Sequence, residues 1–322
     1  MRSAKGAERK GELRMRVERA LLSAAALCGI LLLSGCVSTK LGERAIMQAA
    51  SVDIYDGVYT VNALLFDSDG SSGEKVDPSG ENVLKVTGSG DTFTAAVDDI
   101  SLTDGREVYM SENRLLILGS GFEQEDLSPV LECLVRDMRC SLNMLICCTD
   151  DPEKLTDMHF TEGLTSAEKP VGMIENAYRS GISPRARLLD LLNDFAAGES
   201  TLIPNFIPEG NGFGMTTDDS GLTAVLSGSK ELSGGRFVGE LDPEQTVGRL
   251  LLGGDTDKLQ FSFTHAGKEH SCEAYCIKAE TLSDGGVQLS AMFRRRNGER
   301  LPEELKNAAV KRLGEILSAA NR

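Results

Sequence analysis

The sequence contains no tryptophan, and aromatic residues make up only 5% of it. That argues against a sugar-binding platform built from stacked rings. Histidine occurs three times, at 159, 265 and 270. With nothing local to orient them, these three support no Ser-His-Asp or Cys-His constellation, so no catalytic residue is assigned. Past residue 33 no hydrophobic run approaches the roughly 20 residues of a membrane-spanning helix. Positive charge is also scarce, with 34 Lys and Arg against 49 Asp and Glu, a net charge of −15. The first 19 residues hold seven basic and three acidic residues, a surplus of four, so the rest of the chain carries −19. A body this acidic is a poor nucleic-acid binder. An anionic bilayer would repel it, which suits a body held off the membrane on a tether.

What is present begins at the N-terminus. Basic residues 2–19 precede an uncharged apolar run at 20–33 (ALLSAAALCGILLL). The run has the length of a secretory signal core rather than of a bilayer span. Leu33-Ser34-Gly35-Cys36 follows at once. This resembles the lipobox of bacterial lipoproteins, where the cysteine thiol takes a diacylglyceryl group and the chain is cut just before it. Small residues let the peptidase close on that bond, and only a thiol supports the alkylation. Cys36 is therefore the expected lipidation site. Acyl chains contribute about 0.8 kcal/mol per buried CH₂, so two or more anchor firmly.

Six cysteines remain besides Cys28 and Cys36, at 133, 140, 147, 148, 272 and 276. Most lie in apolar, periodic segments and read as small buried hydrophobes; the sequence leaves their disulfide state open. His265, His270, Cys272 and Cys276 form the best metal candidate. On a regular strand, residues 270, 272 and 276 share a face, but a spacing of four puts the two cysteines about 13 Å apart, so no metal site is assigned. Gly88-Ser89-Gly90-Asp91-Thr92 lacks the Lys-Ser/Thr of a phosphate loop and the third Gly of a dinucleotide fingerprint. It reads as a tight turn with an Asp or Thr cap, and no cofactor is expected.

Strand and helix patterns alternate from 46 to 165. Strand character appears at 51–66, 83–87, 114–118 and 142–148, and helical patterns at 92–100 and from Ser128-Pro129 to about Cys140. Lys169 to Ser180 reads as a helix, Ser183-Pro184 as the cap of another, and Gly198 as its end. Asp242-Pro243 starts a helix. Residues 259–264, 269–279 and 287–294 form an antiparallel meander, and a helix over 302–320 turns Leu305, Ala309, Leu313, Ile316 and Leu317 inward. The expected class is α+β: three small mixed α/β domains with largely antiparallel or mixed sheets, after a lipoprotein signal peptide. The boundaries are 1–35 for the signal, 36–45 for a tether, 46–182 for an N-terminal α/β domain, 183–235 for a small middle domain and 236–322 for a C-terminal α+β domain. Arg136, Asp137 and Arg139, on the helix after the buried RLLIL strand, are candidates for a polar contact with another subunit.

The ordered set of segments resembles the Ger(x)C family, the lipoprotein C subunits of spore germinant receptors. Behind the lipobox cysteine come Glu43-Arg44 and a strand holding Val52-Asp53. Thr87-Gly88-Ser89-Gly90-Asp91-Thr92 leads into Ala95-Ala96. Tyr109 to Gly119 (YMSENRLLILG), the helix with Arg136-Asp137 and Arg139, and LNMLICC follow in the family's order. Pro204 and Leu226-Ser227-Gly228, then Phe237-Val238-Gly239-Glu240-Leu241, complete the set. The chain departs from the family pattern at Val37, where a Trp is usual, and near Ser111 and Glu112, where a His is usual. It ends at the 302–320 helix, where members usually continue with further strands, so the C-terminal domain is expected in a shortened form.

The resemblance implies a membrane-anchored, non-enzymatic subunit needed for spore germination. Its partners would be two integral-membrane receptor subunits and, through acylated Cys36, the bilayer; its place would be the outer face of the cell membrane, the spore inner membrane. The sequence does not name a ligand for this subunit. A solute-binding lipoprotein of a transporter is the alternative; it would show two similar lobes around a cleft. Feeding cells labelled palmitate should label the wild-type chain and leave a Cys36→Ala variant unlabelled. A labelled variant would end the lipobox reading.

Overall fold

The structure, a computed structural model, describes residues 44–66, 83–136, 140–158, 168–208, 212, 214–217, 221–282 and 287–320. The elements in chain order are β1 (Arg44–Tyr55), β2 (Val58–Phe66), β3 (Val83–Gly90), α1 (Phe93–Asp104), β4 (Glu107–Tyr109), β5 (Leu115–Leu118), a 3₁₀ turn (Ser120–Glu123), α2 (Ser128–Arg136), β6 (Leu145–Thr149), α3 (Pro152–Thr156) and α4 (Glu168–Arg179). They continue as β7 (Ala186–Arg187), α5 (Leu188–Ala197), β8 (Ser200–Ile207), β9 (Gly214–Thr217), β10 (Thr223–Ser233), β11 (Arg236–Leu241), α6 (Pro243–Gly253), β12 (Lys258–His265), β13 (Lys268–Thr281), β14 (Val287–Arg294) and α7 (Glu303–Ala319). The architecture is mixed α and β, as expected.

The main sheet runs β11-β10-β8-β6-β5-β1-β2-β3, with β4, β7 and β9 paired at its margins. Its centre, β1, β5, β6 and β8, is parallel, and its flanks are antiparallel. Every residue of β5 and of β6 is buried. Side chains alternate across a strand, so Leu116, Leu118, Ile146 and Cys148 enter one core, beneath α1, α2 and α5. Leu115, Ile117, Leu145 and Cys147 enter the other, with Leu155 of α3 and Ile174 of α4. The unbroken apolar runs RLLIL and LICC are what a parallel strand covered on both faces requires. The sheet also crosses residue 183: Ala186 of β7 pairs with Ile146, and Asn205 of β8 with Cys148.

Three local expectations are corrected. Gly88 and Gly90 are not in a turn; they end β3 against α1. A Cβ at Gly88 would lie 2.7 Å from Ile100 Cγ1, and one at Gly90 would lie 2.6 Å from Ala95 Cβ. These glycines let helix and strand approach, and Thr92 caps α1 by accepting from Ala95 N at 3.1 Å. Ser183-Pro184 does not cap a helix. Ser183 is buried and stands before proline, which favours extended backbone, and β7 follows; α5 starts only at Leu188, whose N–H donates to Met144 O at 2.9 Å. Helix α2 is described to Arg136 rather than to Cys140; 137–139 lie outside the described residues.

The C-terminal part has its own core. β12, β13 and β14 form an antiparallel sheet covered by α6 and α7, and all five residues expected to face inward from α7 are buried in it. Asp242 and Gln245 form a reciprocal capping box at the start of α6, which satisfies two otherwise orphaned donors. Gly248 lets the two helices meet: a Cβ there would lie 2.7 Å from Ile316 O.

A Leu116→Ala variant, cut from a fully buried site, should lose about 2–5 kcal/mol of stability in urea unfolding. Leu102→Ala, at a residue 82% exposed, should change it by less than about 0.5 kcal/mol. Equal losses would contradict the two-core packing.

Candidate functional site

Of the expected site residues, only Arg136 is among the described residues. Cys36 lies outside the described residues, as do Asp137 and Arg139. Arg136 is exposed at the end of α2, and its Nη1 donates to Glu132 Oε1 at 2.8 Å. Val135 beside it is 45% exposed, so the helix end offers both an apolar and a charged group.

The shared face of His270, Cys272 and Cys276 is also corrected. A bulge interrupts the β13–β14 register between Tyr275 and Lys278, and Cys276 has φ +52°. The bulge shifts the alternation by one: Cys272, Ala274 and Ile277 are buried, while Cys276 is exposed. His270 stacks on Phe263 at 5.7 Å. Among the described residues, no group of three or more His, Cys, Asp or Glu is placed to hold a metal ion.

A polar cluster does assemble where sequence reasoning placed none, at the C-terminal ends of the parallel strands. Val52, Leu118, Cys148 and Asn205 stand in register across β1, β5, β6 and β8. The chain turns polar just beyond them. Asp53, 6% exposed, accepts at Oδ1 from Ile54 N and from Gly121 N, both at 2.9 Å. Gly119 leaves the space its carboxylate fills, since a Cβ on Gly119 would overlap the Asp53 side chain. Tyr55 and Ser120 share a hydroxyl hydrogen bond of 3.3 Å beside it. Thus Asp53 fastens the 3₁₀ turn to the end of β1.

Lys230 of β10 completes the cluster. It is 4% exposed, and its Nζ donates to Glu123 Oε1 at 2.5 Å and to Asp150 Oδ1 at 3.1 Å. Burial alone would pull its pKa down, but the hydrogen bonds it donates to Glu123 and Asp150 outweigh that, so it stays above an ordinary lysine. Burial pushes the nearby Cys148 thiol well up, with Lys230 opposing and the carboxylates adding to the rise. Asn205 Nδ2 donates to Glu240 Oε1 at 3.4 Å, and its buried Oδ1 has no partner. A nucleophilic thiol needs a lowered pKa and a nucleophilic lysine needs a neutral amine. Neither condition holds here, so the cluster works as a fastening: one ammonium joins the 3₁₀ turn, the end of β6 and β10. In the sequence, Lys230-Glu231 lies between Ser229 and Leu232 and carries no local sign of burial. Only the burial of β10 on both faces reveals the lysine, and that depends on which strands flank it.

A family model described as the spore germination protein N-terminal domain matches residues 38–207, more than half of the chain. That defines the class, a spore germination protein. The chain belongs to the Ger(x)C family, the C subunits of spore germinant receptors. The crystal structure of the GerBC protein aligns over 84% of this chain and 80% of its own, at 15% identity and a TM-score of 0.45. No curated protein matches the chain.

Replacing Lys230 with Met leaves two carboxylates facing an apolar side chain. Because Glu123 and Asp150 are half-exposed, the expected loss is about 1–2 kcal/mol rather than that of a fully buried pair. The folded pKa lies above the unfolded value of 10.5. The contribution is therefore fully present below that value and is lost as pH rises through the folded pKa. Unfolding midpoints of wild type and Lys230→Met should differ at pH 8 and converge in strong alkali. A gap that stays constant with pH would refute the ion-pair account.

Proposed function

We propose that this germinant receptor C subunit is held by lipid on Cys36 at the outer face of the cell membrane, the spore inner membrane in the dormant cell. There it assembles with two integral-membrane receptor subunits and acts through that assembly rather than by catalysis. The observation that carries the reading is the family match, which begins at residue 38, two residues past Cys36. Among the described residues no helix is long and apolar enough to cross a membrane; what supports attachment through lipid is the apolar run at 20–33 followed by Leu33-Ser34-Gly35-Cys36. The eight residues from Cys36 to Glu43, ahead of β1, span at most about 30 Å when extended, which would keep the folded body near its partners.

The test is genetic. Spores lacking this chain should lose their response to at least one nutrient germinant, and the wild-type gene should restore it. An Arg136→Glu variant, changed at the exposed end of α2, should restore the response only partly while the protein accumulates normally. Deletion spores that answer every germinant at the wild-type rate would defeat the proposal. A fully active Arg136→Glu would remove α2 from the contact surface.

A further inference from the structure

The sheet β12-β13-β14 has two outer edges, and the fold treats them differently. On β12, Thr256 Oγ1 donates to Lys258 O at 2.9 Å, and Gln260 N donates to Ser180 O at 3.0 Å. That edge is capped at its start, and the rest borders a groove beside α7. Among the described residues no strand pairs with the outer edge of β14.

The ladder decides which backbone groups of β14 are open. Ala266 and Gly267, at φ +51° and +73°, make a two-residue turn, so His265 and Lys268 exchange hydrogen bonds and alternate residues of β13 up to Ala274 face β12. Glu273 and Tyr275 therefore face β14, where Arg294 and Met292 partner them. Past the bulge, Ile277 N donates to Asp257 O at 2.8 Å, so Lys278 and Glu280 face β14, opposite Ser290 and Gln288. The odd-numbered residues of β14 point their backbone groups outward. At Phe293 the returning chain covers them, since Arg294 bridges to Arg300 and Arg295 N donates to Glu299 O at 2.7 Å. Val287, Leu289 and Ala291 each keep an open N–H and C=O. Their side chains are half-buried against the helix-covered core. An edge is normally blunted by proline, charge or a bulge on the edge strand; these three positions carry no proline or charge, and the bulge lies on β13.

We propose that β14 pairs antiparallel with β14 of a second copy of this chain, about a two-fold axis through Leu289. In that register the open residues meet only open residues: Val287 faces Ala291 of the second copy, a larger side chain against a smaller one, and Leu289 faces Leu289. The other face of the sheet matches as well. Ser290 comes beside Gln288 of the second copy, so each row across the joined sheets runs Lys278, Ser290, then Gln288 and Glu280 of the other chain. Opposite charges end each row, and among the described residues neither Lys278 nor Glu280 has an ion-pair partner. A strand of an unrelated protein would require no such self-match. This goes beyond the receptor reading and does not rest on it.

The test is disulfide trapping with diamide on the purified full chain in detergent, at about 0.1 mM. A Cys276→Asn background removes the exposed thiol and suits the positive φ there; that chain without an added cysteine sets the baseline. Residues that exchange backbone hydrogen bonds stand about 5.5 Å apart at Cα, within disulfide reach. Leu289→Cys should therefore yield a covalent dimer. Val287→Cys and Ala291→Cys, each about 13 Å from its own symmetry mate, should yield roughly tenfold less alone, yet should cross-link to each other when mixed. The mixed arm keeps Leu289 in place and decides the matter if the Leu289 variant is unstable. No dimer from the mixture above the baseline, or equal dimer from all three single variants as random collision gives, would overturn the proposal.

Discussion

Strands β5 and β6 have no solvent face, and most of the architecture answers that constraint. A strand buried on both sides needs a layer above and a layer below. Parallel neighbours also need crossovers, because a short turn cannot return the chain to the same edge. Helices α1, α2 and α5 cover the face of Leu116, Leu118, Ile146 and Cys148, while α3 and α4 cover the face of Leu115, Ile117, Leu145 and Cys147. The glycines of β3 are a consequence of this layering: α1 must lie close over β2 and β3, and a side chain at Gly88 or Gly90 would hold it off.

The same constraint decides where polar groups collect. In open α/β sheets the crevice beyond the carboxyl ends of the parallel strands is the usual ligand site. Here that crevice is occupied by the protein itself. Asp53 holds the 3₁₀ turn, and Lys230 ties that turn and the end of β6 to β10. Filling the crevice with a fastening agrees with the proposed role, which is assembly rather than turnover of a substrate there.

How much could be read from the sequence depended on how far each feature reaches. Buried strands and amphipathic helices are local patterns, so RLLIL, LICC, the capped start of α6 and the inward face of α7 were all legible. The family was legible too, because an ordered set of short segments resembles it where no single motif would. Features set by long-range pairing were not. The bulge at Cys276 arises from the register with β14, and it reversed the face assigned to that thiol. Ser183-Pro184 has the residues of a helix cap, but β7 is captured by β6 before a helix can start. Lys230 gave no signal, since its acids come from positions 107 and 80 residues away.

The proposed anchor at Cys36 agrees with the family assignment and with the acidic composition: in that proposal a charged body is kept close to a membrane it would otherwise avoid. The claim at the centre is assembly with membrane subunits, and native electrophoresis of detergent-solubilised spore membranes tests it most directly. The account predicts that this chain migrates in a large species together with two integral-membrane proteins, and that the species disappears when either of them is deleted. Migration at the mass of this single chain alone, unaffected by those deletions, would contradict it.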